Sequence, residues 1–265
     1  MRIQGEVTFD WIRRKSRMNL LPLGVLVWGI VWCMAPRSLA QNASPDASSS
    51  ASAPAIAGSS SETVDEIVRK LVQQNERRAE ELKGYTDRRE YTVIYHGFPS
   101  MKASMTVDAR YTAPSDKRFQ IISESGSKLL ANRVLKKLLE SEQEAAKNPG
   151  QTALSPANYT FSLLGERDIA GRRCYRMHVE PRKASKFLYR GTVFVDAQDY
   201  AVVQIEAEPA QNPSFWIRKT HIHHTYAKTG DFWLPEHNRS ESSMRLGGTA
   251  VLTIDYGQYV VQGAR

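Results

Sequence analysis

The feature that most constrains this chain is a change of period. Up to Leu82 the apolar residues recur at helical spacing. Beyond Gly84 they recur every second residue, and with one interruption they do so almost to the C-terminus. Tyr91, Val93 and Tyr95 alternate with polar neighbours, as do Ala103, Met105, Val107, Ala109 and Tyr111. Gly97-Phe98-Pro99-Ser100 between them supplies turn chemistry, so the two runs form a hairpin. Phe119, Ile121 and Ser123 add a third strand. Seven further strands follow at about 159–169, 172–180, 187–196, 201–208, 214–227, 232–244 and 249–261. Turns at Ala170-Gly171, Asp196-Ala197-Gln198-Asp199, Lys228-Thr229-Gly230-Asp231 and Leu246-Gly247-Gly248 separate them. Short turns between successive strands favour an antiparallel meander with one apolar and one wet face. A meander of about ten strands must curl, and its apolar concave face must be covered.

Two amphipathic helices are available as covers. Thr63 and Glu66 form a capping box, and Val64, Ile67, Val68, Leu71 and Val72 then share one helical stripe. A second helix starts near Ser127, carries Leu130, Val134 and Leu138 on one row with Leu135 and Leu139 beside it, and stops before Pro149-Gly150. Residues 148–158 read as a loop. The expected class is mainly β with helices (α+β): an unclosed, curled antiparallel sheet over 62–265, covered by two or so helices.

The N-terminus reads as an export signal over 1–40. Arg13-Arg14-Lys15-Ser16-Arg17 forms a positive n-region, and Leu20 to Ala35 an apolar stretch too short for a membrane span. Ser38-Leu39-Ala40 resembles a cleavage site, so cutting before Gln41 is expected. The alternative is a leader retained as an inner-membrane anchor facing the periplasm. Trp32 is too large for the small residue that lipid modification of Cys33 needs before it. Residues 41–61 are nearly all Ala, Ser, Pro, Gly and Asn, a disordered linker by composition. Beyond residue 40 the chain holds 30 basic against 26 acidic groups, a balance of +4 and too dispersed for a nucleic-acid-binding face. Cys174 is then the lone cysteine, so no intramolecular disulfide forms there.

Chemistry-bearing motifs are sparse. His221 and His223 share one side of a strand with His224 beside them, a spacing at which imidazoles can share a metal, but no acidic or cysteine partner is fixed nearby. There is no Gly-x-Ser-x-Gly, His-Glu-x-x-His, phosphate loop or dinucleotide fingerprint. The reading therefore assigns no catalytic residue, no metal and no cofactor. Trp216, Tyr226, Phe232 and Trp233 near one hairpin, and Met101 and Met105 near another, serve either as core or as the walls of an apolar pocket.

The order of parts resembles the periplasmic lipoprotein-carrier (LolA/LolB-like) superfamily: signal peptide, helix, hairpin strands, helical interruption, long meander. Arg190-Gly191-Thr192-Val193-Phe194-Val195-Asp196 is similar to that family's strand ending in an aspartate turn. Gly230-Asp231-Phe232-Trp233-Leu234-Pro235 is similar to its Trp-Leu-Pro lead into a late strand. The resemblance implies a half-barrel with a helical lid over an apolar cavity that holds acyl chains without covalent chemistry. The expected walls are Tyr91, Val93, Met105 and Val107, then Leu130, Val134 and Leu138 on the lid, then Phe194, Ile205, Trp216, Ile222 and Leu252. The expected protein is a monomeric periplasmic carrier of a lipid or acylated lipoprotein, with a membrane-bound protein as a further candidate partner and no nucleic acid. An interaction domain that binds a protein partner, and a metal-dependent hydrolase using His221 and His223, are the alternatives.

Overall fold

Eleven strands form one antiparallel sheet in the computed structural model, which describes residues 62–263. The expected leader and linker lie outside the described residues. The strands are β1 (Leu82–His96), β2 (Met101–Thr112), β3 (Asp116–Gly126), β4 (Tyr159–Ile169), β5 (Arg172–Pro181), β6 (Tyr189–Asp196), β7 (Val202–Pro209), β8 (Ile217–Thr229), β9 (Phe232–Met244), β10 (Thr249–Tyr256) and β11 (Val260–Gly263). Their order is β3-β2-β1-β10-β9-β8-β7-β6-β5-β4, with β11 also on β1. The single strand expected at 249–261 is thus two. At Gly257, whose N–H donates to the Arg88 carbonyl at 2.7 Å, an added Cβ would lie 2.6 Å from that oxygen, so the chain passes too close for any larger residue.

The topology explains the helical interruption. Strands β3 and β4 are consecutive in the chain yet lie at opposite edges of the sheet, so their connection must cross it. The crossing begins at Ser127, whose hydroxyl accepts from the Leu130 N–H, and runs through α2 (Lys128–Leu130), a π-helical turn (Ala131–Leu135) and α3 (Lys136–Lys147). A short helix, α4 (Pro149–Thr152), occupies part of the stretch read as a loop.

Helix α1 (Val64–Glu81) has the expected capping box, with Glu66 N–H donating to Thr63 Oγ1 at 3.3 Å and Thr63 N–H to Glu66 Oε2 at 3.0 Å. Its buried face of Ile67, Val68 and Leu71 packs with Tyr159, Tyr175, Met177, Val193 and Ile205 from β4 to β7. Each such side chain contributes roughly 1.5–3 kcal/mol by leaving water. The crossing helix covers the other half, where Leu130, Val134, Leu135, Leu138 and Leu139 meet Tyr91, Met105, Val107 and Ile254.

The two segments that carry the family resemblance touch each other. Asp196 turns the chain by accepting the N–H groups of Gln198 and Asp199 at 2.9 and 2.7 Å, and it pairs with Arg172. The Arg172 guanidinium lies over the Trp233 ring, 5.4 Å from its centroid, and Trp233 Nε1 donates to Asp199 at 2.8 Å. Their role is to tie the β6–β7 turn to β9.

Candidate functional site

Under the start of the crossing helix the core is not filled. A cavity of about 370 Å3 opens there between Leu129, Leu130, Arg133 and Val134 above, Val93, Tyr95 and Met101 from β1 and β2, and Trp216, Ile217, Ser240, Ser242, Met244, Leu246, Gly247, Ala250 and Leu252 from the β8–β10 side. The size is within the range of small-molecule sites. Most of the wall is aliphatic or aromatic; the floor is not. Alternation in β9 sends Arg239 and Glu241 to solvent and turns Ser240 and Ser242 inward, where both are buried. Ser242 shares a hydrogen bond of 2.8 Å with Thr220, and Ser240 donates to Asn238 at 3.2 Å. These bonds leave both hydroxyls oriented by neighbouring side chains at the floor of the cavity.

Beyond the floor lies His224, buried, its ring stacked on Tyr226 at 4.6 Å and its Nδ1 accepting from Asn238 Nδ2 at 2.9 Å. Burial pushes its pKa down to about 3, so the ring is neutral at physiological pH.

The far end of the crossing helix is fixed by a buried ion network. Glu142 accepts from Arg89 Nη1 at 2.9 Å, from Lys117 Nζ at 2.8 Å and from Tyr91 Oη at 3.0 Å. Arg89 also grips Asp87 through two bonds of 2.6 and 3.1 Å. All four charged side chains are almost wholly removed from water, and two cations balance two anions. Burial pushes the Glu142 carboxyl up, but Lys117 and Arg89 overcome it and hold it below the ordinary value. The helix is therefore anchored at Glu142 and lies over a void at Leu130 and Val134.

Of the expected wall residues, Val93, Leu130, Val134, Trp216 and Leu252 line the cavity. Tyr91, Met105, Val107 and Leu138 pack in the same apolar cluster beside it. Three lie elsewhere. Ile205 belongs to the core under α1. Phe194 is on the opposite face, because Val193 and Val195 take the inward phase; it packs on Cys174 and Val203 beneath Arg167. Ile222 is buried between the exposed His221 and His223, beside a polar groove of about 540 Å3 on the outer side. In that groove His221 is 3.5 Å from Glu208, which also pairs with Lys219. Among the described residues no three His, Cys, Asp or Glu side chains are grouped to hold a metal ion. Cys174 is buried, and burial pushes its thiol up to about 11.

The inward serines and the Glu142 network went unread in the sequence. Serine on a strand looks like a wet face, and charged residues are rarely fully buried. Parity carried a signal nonetheless. Asp87 and Arg89 share the phase of Tyr91 and Val93, and Glu142 stands one helical turn beyond Leu138.

No protein-family model and no curated protein matches the chain. Among solved structures the chain is similar to a DUF1329 family protein from Desulfovibrio piger, at 11% identity over 75% of this chain and 93% of that one, with a TM-score of 0.41. A provisional outer membrane lipoprotein-sorting protein domain from Vibrio parahaemolyticus matches at 13% identity over 74% and 93%, TM-score 0.39. A LolA superfamily protein from Nitrosomonas europaea matches at 12% over 77% and 96%, TM-score 0.35.

Proposed function

We propose that this protein is a non-catalytic binding protein of the bacterial envelope that holds an acyl chain of a lipid or lipoprotein in the cavity beneath Leu130 and Val134. The observation that carries the reading is a void of about 370 Å3 with mostly aliphatic and aromatic walls beneath the start of the crossing helix. Its chemistry favours an apolar chain: burying roughly ten methylenes at about 0.8 kcal/mol each gives a gross gain near that of a micromolar complex. The inward Ser240 and Ser242 leave hydrogen-bonding capacity for a carbonyl or hydroxyl on the same ligand. Among the described residues no helix is long and apolar enough to cross a membrane. A periplasmic site of action, and a part in moving lipoproteins toward the outer membrane, complete the proposal.

The test is titration of the purified protein with a fluorescent fatty acid, beside an Ala250→Phe variant. Ala250 lines the void, so a larger side chain there fills space rather than displacing packed atoms. The expected result is saturable micromolar binding that Ala250→Phe lowers by roughly tenfold or more while the melting temperature holds. Absence of saturable binding, or equal binding by both proteins, removes the proposal.

A second reading is favoured by one feature. Edge strand β3 presents exposed Ile121 and Ile122, a free edge to which a partner's peptide can add as a strand. Co-purification of a protein that protects β3 amides from exchange would support it.

A further inference from the structure

We propose that the rim of the cavity docks on an anionic lipid bilayer, with Phe98, Leu129, Phe215 and Leu246 entering the interfacial layer. The proposal rests on the acyl-chain reading above and names the surface from which the chain is taken or to which it is given.

The four side chains are exposed by 101%, 56%, 65% and 82%, and they belong to four separate segments. The fold gathers those segments at one end of the sheet. Tyr95 faces Met101 across the hairpin that carries Phe98, and its hydroxyl donates to the Gly247 carbonyl at 3.1 Å, which joins the β1–β2 and β9–β10 turns. The Arg245 N–H donates to the Trp216 carbonyl at 2.8 Å, and the Arg245 guanidinium lies 5.1 Å from the Phe215 ring centre. Leu129 and Leu246 stand in the same cavity wall. The Ser127 N–H donates to the Lys102 carbonyl at 2.7 Å, which seats the helix start on the same end.

Charge selects the partner. Residues 96–102, 124–133, 211–219 and 243–250 contain Lys102, Lys128, Arg133, Arg218, Lys219 and Arg245 but only one acid, Glu124. Six cations against one anion is +5, whereas everything after residue 40 sums to +4, 30 basic against 26 acidic groups. The cavity end therefore holds all of the excess, and the rest of that chain is close to neutral. Glu124 is itself paired with Lys136, and Lys219 with Glu208. Apolar side chains projecting singly from turns need no shaped counterpart in a fluid interface, and the surrounding cations meet anionic headgroups. A tryptophan at the cavity edge, Trp216, suits the same depth. A chain leaving such a bilayer reaches the void without crossing water.

Residues 41–265 contain every described strand and helix and omit the apolar stretch Leu20 to Ala35, which could bind vesicles on its own account. That protein is sedimented with sucrose-loaded vesicles of phosphatidylcholine alone or mixed with phosphatidylglycerol, beside a double variant Phe98→Ser and Phe215→Ser. Neither position lines the cavity. The expected result is association with the anionic vesicles that weakens with salt and falls roughly tenfold or more in the double variant, whose fatty-acid binding from solution is unchanged. Equal sedimentation by both proteins, or none by the wild type, overturns the docking proposal, as does a co-purifying protein that covers Phe98 in place of lipid. Failure of fatty-acid binding in solution strikes the acyl-chain reading separately, because vesicle association is measured without it.

Discussion

Two helices lie against one sheet and meet it in opposite ways. Under α1 the space is filled by large side chains, including Tyr159, Tyr175, Phe187 and Tyr189, and the helix start is held by Glu62, which accepts from Lys70, Tyr175 and Tyr200. Under the start of the crossing helix the strands offer Ser240, Ser242 and Ala250, and the β9–β10 turn offers Gly247, all too small to reach the leucines above them. The same architecture gives a packed core on one side and a void on the other, and the difference is one of side-chain volume on β9 and β10. A binding site in such a fold is made by what the strands leave out.

The comparison can be broken most forcefully at Glu142. Glu142→Ala leaves Arg89 and Lys117 charged and unpaired in the interior, and a loss of about 3–5 kcal/mol is expected in denaturant melts, with residues 128–147 becoming sensitive to trypsin. Next in size is a matched pair of truncations. Leu71→Ala, in the filled half, should cost about 3–4 kcal/mol; Leu130→Ala should cost roughly half as much, because part of its surroundings is already empty. Equal losses would mean that the void closes in solution. The effect that is smallest near neutral pH, and grows only on acidification, is that of His224. An unfolded His224 takes a proton as pH falls below about 6.5, whereas the folded ring resists until about 3, so folding stability should decline across that window by at most about 1.4 kcal/mol per pH unit. His224→Phe should flatten this limb. The Glu142 contribution has the same sense but acts lower: it is complete above the ordinary carboxylate range and fades as pH drops through the depressed value.

Much of the layout was legible from periodicity. The capping box at Thr63, the helix start at Ser127 and the turn at Asp196 stand where their residues predict, because each is set by local hydrogen bonding. The site was legible only in part. Val93 and Leu252 followed from alternation and Val134 from helical spacing, whereas Phe194 was assigned to the wrong face, since β6 is covered on both sides and its apolar run gives no phase. What stayed hidden is non-local. That β3 and β4 are opposite edges, and hence that the helix between them must span the sheet, depends on the pairing of β1 with β10, about 160 residues apart.

The π-helical turn at Ala131–Leu135 has a consequence for register along the lid. One extra residue in a helix rotates everything downstream by about 100°. Leu130 stands before the turn and Val134 within it, both bordering the void, and Glu142 beyond it meets Arg89 and Lys117. The turn works as a phase adjuster in one continuous rod that keeps a greasy roof at one end and an ionic anchor at the other.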